Sequence, residues 1–481
     1  MTPAAAAPAA SYPERAAELL DSAIANTRWR QSECINLIPS EMTMSPATRW
    51  LSIMDPVGRY AEHKQVKALD EAEVFYYQGT EFIWEVEERL KREFMTFLGC
   101  GSVEARLVSG QMANATVFSA MVDYLNRADR KSEQRRMRMV MNNHIIKGGH
   151  LSSQPMGALK DYVARDPRTE KAAVVNFPVY AGDKYRIDTA ATRELLEEHR
   201  PELVILGKSM VLYPEPVAEL RKFIDELGLD CFLMYDMAHV LGLVGPHFQD
   251  PFGEGADSVT GSTHKTFFGT QRGVIGSRFT AHDVLYPFWE AVERRAFPGA
   301  VSNHHLGTLV GLLMAAYEMN AFKDSYQPAV IANAKAFAKA LKDCGLNVSG
   351  DPAVGYTQTH QVLLDVGWTR GPEIARKLET SGIAGALEGA RRFRQGRLLS
   401  RTHFAHFLVQ QGCAASVRDV FKRFLVKGRP GYVRGEWAEL SRAVDWQDAP
   451  HGGLEARFTL RAGERRWLVL SWNAPRPEPI A

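Results

Sequence analysis

YDMAHVLGL (235–243) and GADSVTGSTHKTFFGTQRG (255–273) are the stretches of this 481-residue chain that decide its fold. The run CFLMYD from Cys231 is apolar until it closes on Asp236. A second strand follows and leads into Ser262-Thr263-His264-Lys265. Strands that are hydrophobic on both faces belong in a mostly parallel sheet covered on both sides. Side chains at the carboxyl ends of such strands converge on the crevice where open α/β sheets bind ligands. An Asp and a Lys brought together there form either a buried ion pair or a clamp on a cofactor.

Working outward, similar β-branched runs occur at MRMVMN before His144, AAVVNF from Ala172 and ELVILG from Glu202. Helices fit 187–199 and 215–228, and a short one fits 13–28. In Glu81–Phe97, Phe82, Val86, Leu90 and Phe94 recur at the spacing of an amphipathic helix. Asp55–Tyr77 reads as a long polar and aromatic loop, and GVIGSRF from Gly273 as an antiparallel edge strand. Leu312–Leu341 reads as a helix interrupted around Asp324–Gln327. The expected organisation is a tail and helix over 1–30, a large α/β domain over 31–310, a connecting helix over 311–345 and a smaller domain over 346–481. The last of these carries arginines (Arg391, Arg392, Arg394, Arg397, Arg401), then tryptophans and a hairpin around Gly463.

Composition narrows the function. Lys and Arg number 58 against 56 Asp and Glu, a net charge of +2, so no global basic field favours nucleic acid or a membrane surface. The basic run ADRKSEQRRMR (128–138) includes Asp129 and Glu133 and reads as a solvated face. The longest apolar stretches fall short of the roughly 18 residues that span a bilayer. Five scattered cysteines form no CxxC pair, so neither a disulfide framework nor a metal site is expected, and a reducing cytoplasm fits.

Two further segments bear on the Asp–Lys pair. SGQMAN (109–114) is a strand-to-helix turn in which Ser109, Gly110 and Gln111 offer a hydroxyl and backbone N–H groups to a phosphate. An ordinary helix cap is the plainer reading of this segment alone. In KGGHLSS (147–153) two glycines admit close approach to a ligand, and His150 offers a flat ring. Pyridoxal phosphate needs this combination: a lysine for the Schiff base and a carboxylate to keep the pyridine nitrogen protonated.

LIPSEMTMSPA (37–47), GRYAEH (58–63), YYQGTEFIWEVEE (76–88), SGQMAN, GGHL, DMAHVLGL, STHKTFFGTQRG and FPG (297–299) resemble, in that order, the serine hydroxymethyltransferase family of fold-type I pyridoxal-phosphate enzymes. The resemblance runs from about Asn36 to Ile383. It implies an α/β fold with a mostly parallel seven-stranded sheet and a smaller C-terminal α+β domain. By the same resemblance Lys265 carries the cofactor, Asp236 faces its pyridine nitrogen, and His150 stacks on its ring. His239 would contact the phenolic oxygen and the substrate carboxylate. Ser109, Gly110, Gln111 and His264 would hold the phosphate, with Ser302 and Asn303 of a neighbouring subunit. Ser209 would lie near the cofactor, and Arg272 would orient the lysine loop. Glu62 would handle protons at the substrate hydroxyl, and Ser40, Tyr60 and Tyr76 would contact the substrate. Tyr60 would cross from a second copy, which implies a homodimer or homotetramer with no nucleic-acid or membrane partner.

The chain also departs from the family. GYTQTHQ (355–361) places Thr359 where the family has a folate-contacting Asn, a spelling more like that of the folate-free threonine transaldolases. Ser152-Ser153-Gln154 replaces the usual residues after GGHL, and the stretch between Glu62 and Tyr76 is longer than usual. No Arg-Leu/Ile-Gly-Thr segment follows ETSGI (379–383), and Arg391, Arg394, Arg397 and Arg401 are substitutes by position only. The altered folate set argues against tetrahydrofolate. The expected chemistry is aldol, retro-aldol or transaldol at Cα of an L-amino acid in specialised metabolism. The alternatives are a folate-dependent hydroxymethyltransferase, and a decarboxylase, β-lyase or oxidative deaminase on the same scaffold, as in lincosamide or capuramycin biosynthesis. A cofactor-binding but inactive partner is the non-enzymatic alternative.

Overall fold

The computed structural model describes residues 11–66, 72–129, 131–367 and 370–388, with short strand segments at 404–407, 447–448 and 454–455. The arginines of 391–401 and the hairpin around Gly463 lie outside the described residues.

In chain order the amino-terminal part comprises α1 (Tyr12–Arg28), β1 (Ile35–Leu37), α2 (Pro46–Ser52), β2 (His63–Val66), β3 (Ala72–Phe75) and α3 (Glu81–Leu98). Then come β4 (Ser102–Glu104), α4 (Gly110–Leu125), β5 (Val140–Asn142), β6 (Val174–Asn176), β7 (Val179–Tyr180), β8 (Asp183–Ile187), α5 (Thr189–His199) and β9 (Leu203–Gly207). The chain continues through α6 (Val217–Glu226), β10 (Phe232–Asp236), β11 (Ser258–Ser262), β12 (Gly273–Ser277), α7 (Tyr286–Arg294) and α8 (Leu306–Asp343). Last are β13 (Val362–Asp365), α9 (Gly371–Thr380), β14 (Ile383–Glu388) and β15 (Phe404–Phe407).

Seven strands form the central sheet in the order β4-β12-β11-β10-β9-β5-β6. Only β12 runs against the rest, pairing antiparallel with both β11 and β4. The expected antiparallel strand from Gly273 therefore exists but is not at the edge, because the short β4 covers its outer side. Side chains of β9 and β10 alternate between two cores, as the two-residue period of a strand requires. Val204, Leu206, Leu233 and Tyr235 pack with α3, α6 and α8, whereas Leu203, Ile205, Phe232 and Met234 pack with α4 and α7. Each fully buried side chain of this kind contributes roughly 1.5–3 kcal/mol.

Two other expectations need correction. Residues 55–77 are not one long loop: β2 and β3 pair as a hairpin, with His63 opposite Phe75 and Gln65 opposite Glu73. The run between Glu62 and Tyr76 hides a strand period because its charged and apolar residues do not alternate strictly. The long helix is not interrupted either, since α8 runs through Asp324–Gln327 and includes Pro328. Its polar residues there are cross-links rather than breaks. Gln327 donates to the Gly242 and Val244 carbonyls at 3.0 and 2.9 Å, and Tyr326 donates to the Thr266 carbonyl at 2.9 Å. α8 thereby braces the loop that carries Lys265. Its carboxyl-terminal half packs Phe337, Ala338 and Leu341 against a second sheet, ordered β1-β14-β15-β13. Among the described residues, no helix is long and apolar enough to cross a membrane.

Candidate active site

β9, β10 and β11 end side by side, with Gly207 opposite Asp236 and Asp236 opposite Thr260. Asp236 is almost fully buried. Its Oδ2 accepts from Asn114 Nδ2 at 2.7 Å and from Ser153 Oγ at 3.3 Å, and lies 2.5 Å from His150 Nδ1. Its Oδ1 accepts from the Ala238 N–H at 3.1 Å. Burial by itself would raise its pKa. The His150 ring, the Asn114 amide and the Ala238 N–H outweigh burial and bring it down to about 2. The carboxylate is thus a fixed anion.

Lys265 follows β11, and its Nζ lies 3.1 Å from His239 Nε2. The His239 and His150 rings meet edge to face, 5.4 Å apart at 86°. Asp236, His150, His239 and Lys265 therefore form one continuous cluster. The neighbouring His264 is kept neutral, its pKa pushed down to about 4 by burial and by the Lys265 charge. Its buried Nδ1 has no hydrogen-bond partner among the described residues.

The amino terminus of α4 abuts the same place. Ser109 caps the helix, accepting from the Met112 N–H at 3.1 Å, and Gly110 and Gln111 are next. A side chain at Gly110 would lie 2.3 Å from Ser262 Oγ, so only glycine lets the helix end reach β11. The first N–H groups of a helix have no partner within it and attract anions. The GGH loop is tied down in a similar way. Its His150 N–H donates to the Gly207 carbonyl at 2.9 Å, and the Ser209 N–H donates to the Gly148 carbonyl at 2.8 Å. Ser209 in turn accepts through its carbonyl from Gln361 Nε2 at 2.8 Å.

Arg272 does not face this cluster with its guanidinium. That group is completely buried and donates to the carbonyls of Ala105, Arg106 and His305, to Thr308 Oγ1 and to His304 Nδ1. The Arg272 backbone pairs with Thr263, two residues before Lys265. Its contact with the segment that carries Lys265 is thus made through the backbone, not through the guanidinium.

Glu62, Tyr60, Tyr76, Ser302 and Asn303 lie around a second segment. Glu62 is half-buried and accepts through its carbonyl from the Tyr76 N–H at 3.1 Å. Tyr60 and Tyr76 are more than half exposed, and the Tyr60 ring lies 5.4 Å from that of Tyr77. Asn303 is engaged by its own chain, accepting from the Ala61 N–H at 3.3 Å and donating to the Arg59 carbonyl at 3.0 Å. Ser302 beside it is exposed. Ser40 lies in the turn after β1, next to Pro39, whose carbonyl is 3.2 Å from His360 Nε2.

Two sets of supporting residues were not singled out from sequence. Asn114 bridges Asp236, Ser152 Oγ at 2.7 Å and Thr260 Oγ1 at 2.6 Å. It lies one helical turn beyond Gly110, on the same face of α4, a spacing that could have flagged it. Ser152 and Ser153, read as a departure, are wired into the Asp236 network, and Gln154 secures the loop through the Asn143 carbonyl at 2.8 Å.

An amine, a fixed carboxylate across from it, flat imidazole rings, a helix terminus for a phosphate and a buried polar nitrogen without a partner together fit pyridoxal phosphate. Lys208 does not compete for the role of Lys265, because its ammonium is buried against Glu215 at 2.6 Å and the Tyr185 carbonyl at 2.8 Å.

Comparison with known proteins agrees with the geometry. The family model for serine hydroxymethyltransferase matches residues 14–385. The serine hydroxymethyltransferase of Staphylothermus marinus is 37% identical over 356 residues, covering 74% of this chain and 72% of the relative. That of Pyrobaculum calidifontis is 36% identical over 373 residues, covering 77% and 78%. Among solved structures, the L-threonine transaldolase from Pseudomonas fluorescens in its internal aldimine state superposes with a TM-score of 0.70 at 23% identity. The superposition covers 88% of this chain and 90% of that one, which establishes a shared fold. The chain belongs to the serine hydroxymethyltransferase family and is a pyridoxal-phosphate-dependent enzyme of that type.

Proposed function

We propose that this enzyme makes or cleaves a bond at Cα of an L-amino acid by aldol, retro-aldol or transaldol chemistry without folate, in specialised metabolism. The observation that carries the folate-free reading is the state of Thr359. It is fully buried, and its hydroxyl donates to the Val211 carbonyl at 2.5 Å, so it is turned inward at the position where the family presents an amide to folate. Gln361, two residues on, accepts from the Val211 N–H at 2.7 Å, so the segment serves to hold Ser209–Val211. The longer stretch after Glu62, at the mouth that the family resemblance assigns to folate, supports the same reading.

Bound pyridoxal phosphate would supply an electron-accepting ring for bond cleavage at Cα. In this reading Asp236, held anionic by its neighbours, keeps the pyridine nitrogen protonated. His150 would cover one face of the ring. His239, beside Lys265, orients the phenolic side of the cofactor and the substrate carboxylate. Ser109, Gly110, Gln111 and His264 hold the phosphate. Lys265 supplies and receives a proton at its amine. Glu62 removes or returns the proton of the β-hydroxyl, and Ser40, Tyr60 and Tyr76 contact the substrate.

The exposed Trp50, Ile53, Val57 and Tyr60, three or four residues apart in sequence, support a second copy covering this segment and completing the site. The test is incubation of purified enzyme with L-threonine and an aromatic aldehyde, with and without tetrahydrofolate. Formation of acetaldehyde and a new β-hydroxy amino acid at a rate indifferent to folate is expected. Serine cleavage that requires tetrahydrofolate, with no exchange of threonine, would replace this reading with the folate-dependent one.

A further inference from the structure

The β2–β3 hairpin is fastened to the core by a buried row of alternating acids and bases. His63 Nδ1 lies 2.5 Å from Glu73 Oε1 on the facing strand, and its Nε2 lies 3.3 Å from Glu87 Oε2 on α3. The other oxygen of Glu87 meets His304 Nε2 at 2.9 Å, and His304 Nδ1 lies 2.9 Å from Arg272 Nη2. The row Glu73–His63–Glu87–His304–Arg272 therefore joins the hairpin next to Glu62 to the residue whose backbone holds the lysine loop. His63, Glu87, His304 and Arg272 are all at least nine-tenths buried.

Donor and acceptor rules fix the protons. A guanidinium only donates, so His304 Nδ1 accepts, and its proton sits on Nε2 and points at Glu87. His304 is then neutral, in keeping with the lowering of its pKa by burial, which outweighs the Glu87 contact. His63 faces a carboxylate oxygen at each nitrogen and must donate from both, so it is a cation. Burial opposes that charge, but Glu87 and Glu73 outweigh burial and raise its pKa. Arg106, paired with Glu104, stands behind Glu87 and helps hold it ionised.

We propose that His63 is a positioning residue for the reaction: as a cation clamped between Glu73 and Glu87, it locks the hairpin and so fixes the adjacent Glu62 and the Tyr60–Tyr76 mouth against the substrate. The longer stretch after Glu62 is then a specificity element fastened by charge rather than by apolar packing. The role of Glu62 rests on the reading above; the clamp itself does not.

The sign of the pH effect follows. A histidine whose folded pKa is raised contributes fully below its ordinary value near 6.5, and the contribution is lost as pH rises through the raised value. The test is hydrogen exchange of the hairpin amides in holoenzyme, corrected for intrinsic rates and followed from pH 6 to 10, together with kcat and KM for threonine cleavage. In the parent, protection should fall across this range. Glu73→Gln should move that fall down by roughly one pH unit, as loss of one close opposite charge does. His63→Arg should make protection independent of pH, and His63→Gln should remove it throughout. With His63→Gln, kcat should drop at least tenfold while KM changes less than threefold. Equal protection and equal pH dependence in the parent, Glu73→Gln and His63→Gln would overturn the proposal. Loss of the exchange signature with kcat intact would remove the positioning role. A fully active Glu62→Gln variant would instead overturn the role of Glu62 and leave the exchange results to decide the clamp.

Discussion

Replacing Arg272 with lysine tests whether one buried guanidinium braces the start of β12 against the segments that lead into α4 and α8. The group serves the carbonyls of Ala105, Arg106 and His305, Thr308 Oγ1 and His304 Nδ1. A lysine ammonium has three donors and no planar fork, so at least two of these hydrogen bonds are lost. Each lost bond from a charged donor costs about 1.5–3 kcal/mol, which gives roughly 4 kcal/mol for two. Unfolding entropy of about 2.1 cal/mol/K per residue over roughly 370 described residues amounts to about 0.8 kcal/mol/K, so the melting temperature should fall by about 5 °C. Thermal scanning of apo- and holoenzyme measures this, with Arg89→Lys, at an exposed pair with Glu85, as a control that should not move. Arg272→Lys melting within about 1 °C of the parent would refute the strut.

Asn114→Ala should leave Asp236, Ser152 and Thr260 each short of a partner. The dissociation constant for pyridoxal phosphate, followed by visible absorbance, should rise at least tenfold, about 1.4 kcal/mol. The depressed pKa of Asp236 contributes stability that is present above about pH 4 and lost as pH falls toward about 2. Its magnitude is roughly 2 kcal/mol. His150→Phe removes the ring that helps lower the Asp236 pKa, so acid unfolding followed by circular dichroism should begin at higher pH than in the parent.

The parts of the site that stood out in sequence are those set by strand ends. Asp236 and Lys265 terminate or follow runs whose apolar character on both faces announces a buried parallel sheet, so their convergence follows from topology. The strands at 203–207 and 232–236 were legible for the same reason. The hairpin was not. Its strands mix Lys64, Gln65 and Glu73 with apolar residues, and one of the two ionic contacts that lock it reaches Glu87 on α3. Asn114 and Ser152 were missed because a polar residue on a helix or loop shows its partner only once the chain has folded. The polar residues of α8 near Gln327 looked like a break for a related reason, since the carbonyls they satisfy come from the loop after β10 and from Thr266. Thr359 illustrates the converse: its position was legible by resemblance, but its inward hydrogen bond to Val211 was not.

The most direct measurement is reduction of the holoenzyme with borohydride followed by peptide mass mapping. A single pyridoxyl group fixed to the Lys265 amine, and its loss in Lys265→Ala together with the visible absorbance, is the expected result. A label on Lys208 or another lysine, or a Lys265→Ala enzyme that retains both colour and activity, would contradict the site described here.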